Sequence, residues 1–436
     1  MEQLGRIGRD LRSERGAECG GTYAELAISF VAPVANVFAC WILARARQSG
    51  IRRLYFLSRD GQLILQAARS LAPQFGGIDC RYLQASRQAL FLPSSAEISE
   101  EGMPWLFENT DHHYLWSLLA KLELEYEQIA PFFASASRDG ADFVIRTGEE
   151  RQEFWAALNQ SPLRELLLGR IAVRREASRL YFQEAGLFDP VKRALVDIGW
   201  FLRSQRALND LLRGWGCEEI SGFYLGIRAG CESLEKAGPA TALFYEPERG
   251  SLARKSSPAV FKQVLMIENI FCTADHPTVY RYELCSDGRA VPAYNCTVPP
   301  STLARYRALS AVVSLFAEKS VRFAEEWANP AVAMDLIDGL TTVFMKNPVA
   351  EAVRPLTEIK VSFFQNDLLP LPLVRPLTWR EAIAPAFPEW PFLRAFWQNP
   401  DILWHGGSVA ISSRPVRMLY RAAYRMRSIR HKVGLR

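Results

Sequence analysis

The stretch Leu54-Tyr55-Phe56-Leu57-Ser58-Arg59-Asp60-Gly61 is an apolar run that stops abruptly on a charged turn and then takes on a helical pattern. About one βα unit later, Tyr82-Leu83-Gln84-Ala85-Ser86-Arg87 repeats the Ser-Arg ending, and Ala194-Leu195-Val196-Asp197-Ile198-Gly199-Trp200 gives a third apolar strand closing on an acid. Ligands of an open parallel sheet bind just outside the carboxyl ends of its strands, so the three endings are expected to converge on one crevice. Acids and arginines gathered there point to a phosphate site, with or without a metal.

Asp60 and Asp197 form the expected metal pair. Carboxylates at adjacent strand ends suit Mg²⁺, a hard cation that takes oxygen ligands and offsets phosphate charge. Each acid alone reads as a helix cap; together with Arg59 they read as a site. Ser58 and Ser86 are hydroxyls at matching strand ends, able to donate to a phosphate oxygen, and Ser58 becomes a nucleophile if a base stands beside it. Arg59 and Arg87 offer planar bidentate donors. Gly199 lets the backbone approach a ligand, Trp200 presents a flat face for a sugar or base or else packs in the core, and Gln205 emerges one turn into the next helix. Glu268 lies in the apolar run Val264–Ile270, where burial raises a carboxyl pKa. The histidines His112, His113, His276 and His405 show no metal-ligand spacing.

Leu54–Gly61 resembles the first motif of the haloacid dehalogenase (HAD) superfamily, an apolar strand followed by Asp-x-Asp-Gly. Ser86 falls where that superfamily carries its second-motif Ser or Thr, and Asp197 where its fourth motif carries an acidic metal ligand. Taken together, FLSRDG, SRQAL at Ser86–Leu90 and VDIGW with Gln205 resemble HAD-like proteins of bacterial cell-surface polysaccharide biosynthesis, found beside or fused to glycosyltransferases. The resemblance covers roughly residues 24 to 300. It implies a HAD-like Rossmannoid α/β fold, Mg²⁺ as cofactor, a phosphorylated sugar, nucleotide sugar or lipid-linked glycan as substrate, and a glycosyltransferase as partner. The superfamily's nucleophilic Asp is replaced here by Ser58, while Asp60 keeps the general acid/base place. A Ser hydroxyl is a poor nucleophile beside an ionised carboxylate and adds no charge for a cation. Lys192 and Arg174 are the positional candidates for the third-motif Lys. Glycosyl transfer, with the donor diphosphate bound but not attacked, and a non-catalytic scaffold are the alternatives to hydrolase or phosphotransferase chemistry.

The expected domains are a first core segment 1–93, an inserted helical cap 94–190, a second core segment 191–298, a helical C-terminal region 299–412 and a basic amphipathic tail 413–436. Cap periodicity starts behind Thr110 or Asp111. A hairpin is expected at Thr278–Leu284 and Ala290–Tyr294, around Ser286-Asp287-Gly288. With 49% hydrophobic residues over 436 positions the chain can fill a large core. The net charge is +5, yet Arg414–Arg436 holds eight Arg or Lys and no acid, which leaves the rest slightly acidic. That placement argues against nucleic acid as partner. On a helical wheel Arg414, Arg417, Arg421, Arg425 and Lys432 share one arc, and Val416, Leu419, Ala423, Met426 and Ile429 lie mostly on the other. A helix of this kind suits an anionic membrane surface. Leu26–Ala44 approaches membrane-span length but is broken by Ser29, Pro33 and Asn36, and reads as a buried helix. The eight cysteines show no zinc spacing. No export signal is recognisable, so the expected location is cytoplasmic, peripheral on the inner membrane face.

Overall fold

Every residue of β1 (Arg53–Leu57) is buried, which requires an apolar layer on each face of the strand. Side-chain alternation divides it, Leu54 and Phe56 entering one core and Tyr55 and Leu57 another. This computed structural model describes residues 1–14, 21–107, 113–229, 234–246, 258–361, 371–387, 390, 393, 396, 399 and 401–433. The expected cap residues Thr110 and Asp111, together with His112, Cys19 and Cys231, lie outside the described residues.

β1 pairs in parallel with β2 (Asp79–Leu83) and with β3 (Arg193–Trp200); β4 (Ser221–Ile227) and β5 (Ala240–Tyr245) extend the sheet beyond β3. The order is β2-β1-β3-β4-β5, an α/β architecture built on a five-stranded parallel sheet. Strand order reverses between β1 and β3, so the crevice opens at their carboxyl ends. β5 was not read from the sequence. It is one of the two sheet edges, with Thr241 and Tyr245 exposed, and lacks the apolar continuity of β1.

One face of the sheet is covered by α1 (Glu2–Glu14), α2 (Ala24–Gln48), α3 (Gln62–Leu71), α8 (Pro300–Ser320) and α9 (Pro330–Lys346), which share a core with β1, β3 and β4. α2 is long and apolar enough to cross a membrane, yet 94% of its most apolar window is buried in the protein. The boundary drawn at 299 does not separate a structural unit, since Leu309, Val313 and Phe316 of α8 and Ile337 of α9 fill that same core. The other face carries α4 (Arg87–Ser94), the C-terminal half of α5 (Ser161–Glu184) and α6 (Arg203–Gly214).

The inserted block has a core of its own, running from Leu92 and Ile98 to Leu167 and Ile171. α5 joins the two bodies, with Leu163, Leu167 and Ile171 in the block and Ala177 and Phe182 against the sheet. Two-residue strands His113–Tyr114 and Val144–Ile145 pair within the block. The expected hairpin forms as β6 (Val279–Leu284) and β7 (Ala290–Tyr294). α11 (Arg414–Val433) lies against α10 (Trp379–Ile383), Val416 and Ala423 being buried and Leu419 and Tyr420 half-buried near Leu377, Ala382 and Ile402. The wheel's apolar arc is therefore divided. Its first part is spent on the protein, while Met426 and Ile429 stay exposed with Met418, Arg414, Arg421 and Arg425.

Candidate functional site at the carboxyl edge of the sheet

The chain leaves β1 through a tight turn in which Gly61 N donates to Leu57 O at 3.0 Å and Asp60 N to Ser58 O at 3.1 Å. A Cβ on Gly61 would lie 2.6 Å from Leu57 O, so this position takes only glycine without a backbone shift. Arg59 adopts a left-handed backbone, φ +69°. For a residue with a Cβ such a conformation persists only where surrounding contacts hold it. The hold is a polar chain: Arg59 N donates to Tyr82 Oη at 2.9 Å, and Tyr82 Oη lies 2.6 Å from His276 Nε2. His276 Nδ1, 2.6 Å from Pro277 O, must carry the proton, because a carbonyl only accepts. Burial holds the His276 pKa below its usual value, so Nε2 is free to accept from Tyr82. Arg59 Nη1 reaches Thr278 Oγ1, and Gln62 Nε2 donates to Asp275 Oδ1 at 2.7 Å, fixing the 272–278 loop over the turn.

Asp60 follows β1, and Asp197 stands inside β3 rather than at its end, three residues before Trp200. The two acids are close enough that the Asp60 charge acts on Asp197. Burial raises the Asp197 pKa well above the usual carboxylate value, Asp60 pushes it further, and the 2.8 Å bond from Ile198 N only partly offsets this. Burial also raises Asp60, against the pull of Arg59, a hydrogen bond from the Cys272 thiol, and Arg87. Its Oδ1 is buried with no partner. Glu268, on α7 (Val264–Phe271), completes the cluster; burial and then Asp60 push its pKa up to about 7. Arg87 is exposed, yet its charge reaches all three acids.

The remaining expected residues stand differently. Ser58 Oγ donates to Ala85 O at 2.5 Å, and Ser86 Oγ donates to Val279 O at 2.5 Å while accepting from Ala89 N at 3.2 Å as the cap of α4. Both hydroxyl protons are thus committed to carbonyls, which cannot take a proton to activate a nucleophile. Gln205 is not a ligand contact. It is fully buried, donating to Ile220 O and Pro239 O and accepting from Tyr224 Oη at 2.6 Å, because that helix face turns toward β4 and β5. Trp200 offers no stacking face, being buried edge-on to Phe261 at 5.9 Å. Gly199 does serve a close approach, but to the neighbouring strand: at φ +137° a Cβ would sit 2.1 Å from Gly226 O. Lys192 precedes β3 at the amino end of the sheet, and Arg174 pairs with Glu123 in the inserted block, so neither reaches the acids.

Among the described residues no group of three or more His, Cys, Asp or Glu forms a ready-made metal site. Mg²⁺ does not demand one, since it keeps several waters and uses one or two carboxylates with substrate oxygens. Asp60 and Asp197 fit that donor set. An unpartnered Asp60 oxygen beside a second strained carboxyl is what a divalent cation would satisfy. Neither a known family profile nor a curated protein matches this chain.

Cys272, Tyr82, His276 and Thr278 were not singled out for the site. They come from two segments far apart in the chain, β2 and the 272–278 loop, and nothing in their local sequence marks the meeting. Glu268 did carry a signal, a lone carboxylate in an apolar helix.

Proposed function

We propose that this protein is a HAD-like enzyme that binds the phosphate or diphosphate group of a sugar derivative at the carboxyl edge of its sheet and cleaves a phosphoester there. The observation that carries the reading is the action of the Asp60 charge on both Asp197 and Glu268, with the Arg87 charge reaching all three acids and Arg59 reaching Asp60 and Glu268. Three crowded acids destabilise one another unless protons or a cation intervene, and arrangements of that kind mark functional sites. The order of the FLSRDG, SRQAL and VDIGW motifs supports the HAD resemblance.

In this reading Asp197 and Asp60 hold Mg²⁺, which when bound withdraws charge from a phosphoryl oxygen. Arg59 and Arg87 grip the other oxygens. Water attacks phosphorus and passes a proton to Asp60; the bond to the leaving oxygen breaks, and Glu268 protonates that oxygen. A pKa of about 7 suits such a donor. Ser58 holds the turn against Ala85 and forms no phosphoenzyme. Its engaged hydroxyl also favours a second reading, glycosyl transfer, in which the same groups bind a donor diphosphate and a glycan acceptor takes the sugar. The exposed basic strip of α11 supports a place at the cytoplasmic face of an anionic membrane.

A panel of sugar phosphates and nucleotide sugars, assayed for products with Mg²⁺ present, tests this. Released inorganic phosphate, lost in Asp60→Asn, is the expected result. Free nucleoside diphosphate appearing only with an acceptor favours glycosyl transfer. No product from either class, with Asp60→Asn indistinguishable from the parent, overturns both.

A further inference from the structure

A cavity of about 690 Å³ lies away from the acids, between the inserted block, the middle of α5 and strand β6. Its size falls within the ~300–1,000 Å³ of ligand pockets. β6 connects it to the strand-end site. Thr278, just before the strand, touches Arg59, and Val279 O takes the Ser86 hydroxyl; the next two residues, Tyr280 and Arg281, line the cavity.

Its lining carries Arg170, Arg174 and Arg281 against Glu123, Glu125 and Glu127, so the formal charges cancel. Glu123 sits in a left-handed conformation, φ +57°, and both its oxygens are gripped by Arg174 at 2.7 to 3.0 Å. Arg281 stands 4.0 Å from Glu123 and lies over the Tyr280 ring at 5.2 Å. Arg170 Nη1 has no hydrogen-bond partner. Trp116 adds a second aromatic surface to the wall.

That composition selects a ligand class. A polyanion gains nothing from a wall of cancelling charge, and an apolar chain would strip water from six charged groups. An uncharged polyhydroxyl compound meets both needs of the wall: its hydroxyls donate to carboxylates and accept from guanidiniums, while its C–H faces cover aromatic rings. We infer that this cleft is a binding site for an uncharged oligosaccharide, the glycan portion of the substrate whose phosphate is handled at the strand ends. The link to the substrate rests on the proposed function; the ligand class rests on the cleft alone.

The test is saturation-transfer NMR with neutral trisaccharides of glucose, galactose or N-acetylglucosamine, using the full chain. Transfer to ring protons of at least one trisaccharide is expected in the parent and equally in Asp60→Asn, which separates this site from phosphoester chemistry. Tyr280→Ala should weaken binding at least tenfold. Glu125→Gln with Glu127→Gln, two exposed positions that leave the core untouched, should weaken it severalfold. No transfer from any trisaccharide down to a dissociation constant of about 10 mM overturns the inference. So does binding that survives all the cleft variants, or inorganic pyrophosphate held in a manner sensitive to Arg281→Ala but not to Asp60→Asn.

Discussion

Glu268→Gln should stabilise the protein at alkaline pH and leave it almost unchanged in acid. The Glu268 carboxyl is raised from 4.5 to about 7, first by burial and then by Asp60, with Arg87 and Arg59 pulling the other way and Asp197 and Cys272 also within reach of its charge. Below pH 4.5 it is protonated whether the chain is folded or not, and contributes no pH dependence. Between 4.5 and 7 the unfolded chain releases the proton and the folded one keeps it, so stability falls as pH rises. Above 7 the whole shift is lost to the folded state, about 3 kcal/mol at 1.36 kcal/mol per unit. Glutamine keeps the shape and removes the charge, so the variant should gain up to that amount at pH 8. At an unfolding entropy of about 2 cal/mol/K per residue, this is a rise of about 3 °C in Tm for 436 residues. The assay is paired thermal melts of parent and variant from pH 4 to 9 in chelator-containing buffer. An equal Tm difference at both ends of that range would refute the buried-acid reasoning.

Gly199→Ala should destabilise by about 3 kcal/mol or more, because its Cβ meets backbone 2.1 Å away at a positive φ; urea unfolding measures it. Asn209→Ala should cost about 3 kcal/mol by the same measurement, since Asn209 is fully buried, donates to Ile220 O and Ala237 O, and accepts from Ile220 N. Replacing Arg414, Arg421 and Arg425 together with Gln should weaken binding to anionic vesicles by about 3 kcal/mol at low salt, at ~1 kcal/mol each, with no change in Tm. These three are exposed, whereas truncation after Ser412 would also remove the apolar contacts of Val416, Leu419 and Tyr420. Undiminished sedimentation of the triple variant with such vesicles would reject the anchor.

The parallel sheet was legible because β1, β3 and β4 are largely apolar runs whose burial on both faces writes itself into composition, whereas the half-buried β2 was marked by the Ser-Arg ending it shares with β1. Asp60 and Asp197 were legible for the same reason, being the polar interruptions of those runs. What lies beyond the strand was not. Gln205 was expected one turn into its helix, and it is there, but sequence does not say which way a polar side chain faces when the carbonyls just before β4 and β5 await it. Gly199 was read as open to a ligand, whereas Gly226 on the adjacent strand takes the space, and of the two fates open to Trp200 the structure gives the packed one. The boundary expected at 299 falls at the pair Pro299-Pro300, and α8 and α9 nonetheless share the core of the sheet because their apolar stripes pack into it.

Thermal melting of parent and Asp197→Asn, titrated with Mg²⁺ and inorganic pyrophosphate together, tests the strand-end site most directly. At a hundredfold excess over the dissociation constant the parent should gain about 2.7 kcal/mol, again about 3 °C for a chain of this length. Asp197→Asn should show no gain, because an amide keeps the shape without the charge that a divalent cation requires. A parent that does not shift, or a variant that shifts equally, would contradict the assignment of Asp60 and Asp197 to a common cation and phosphate site.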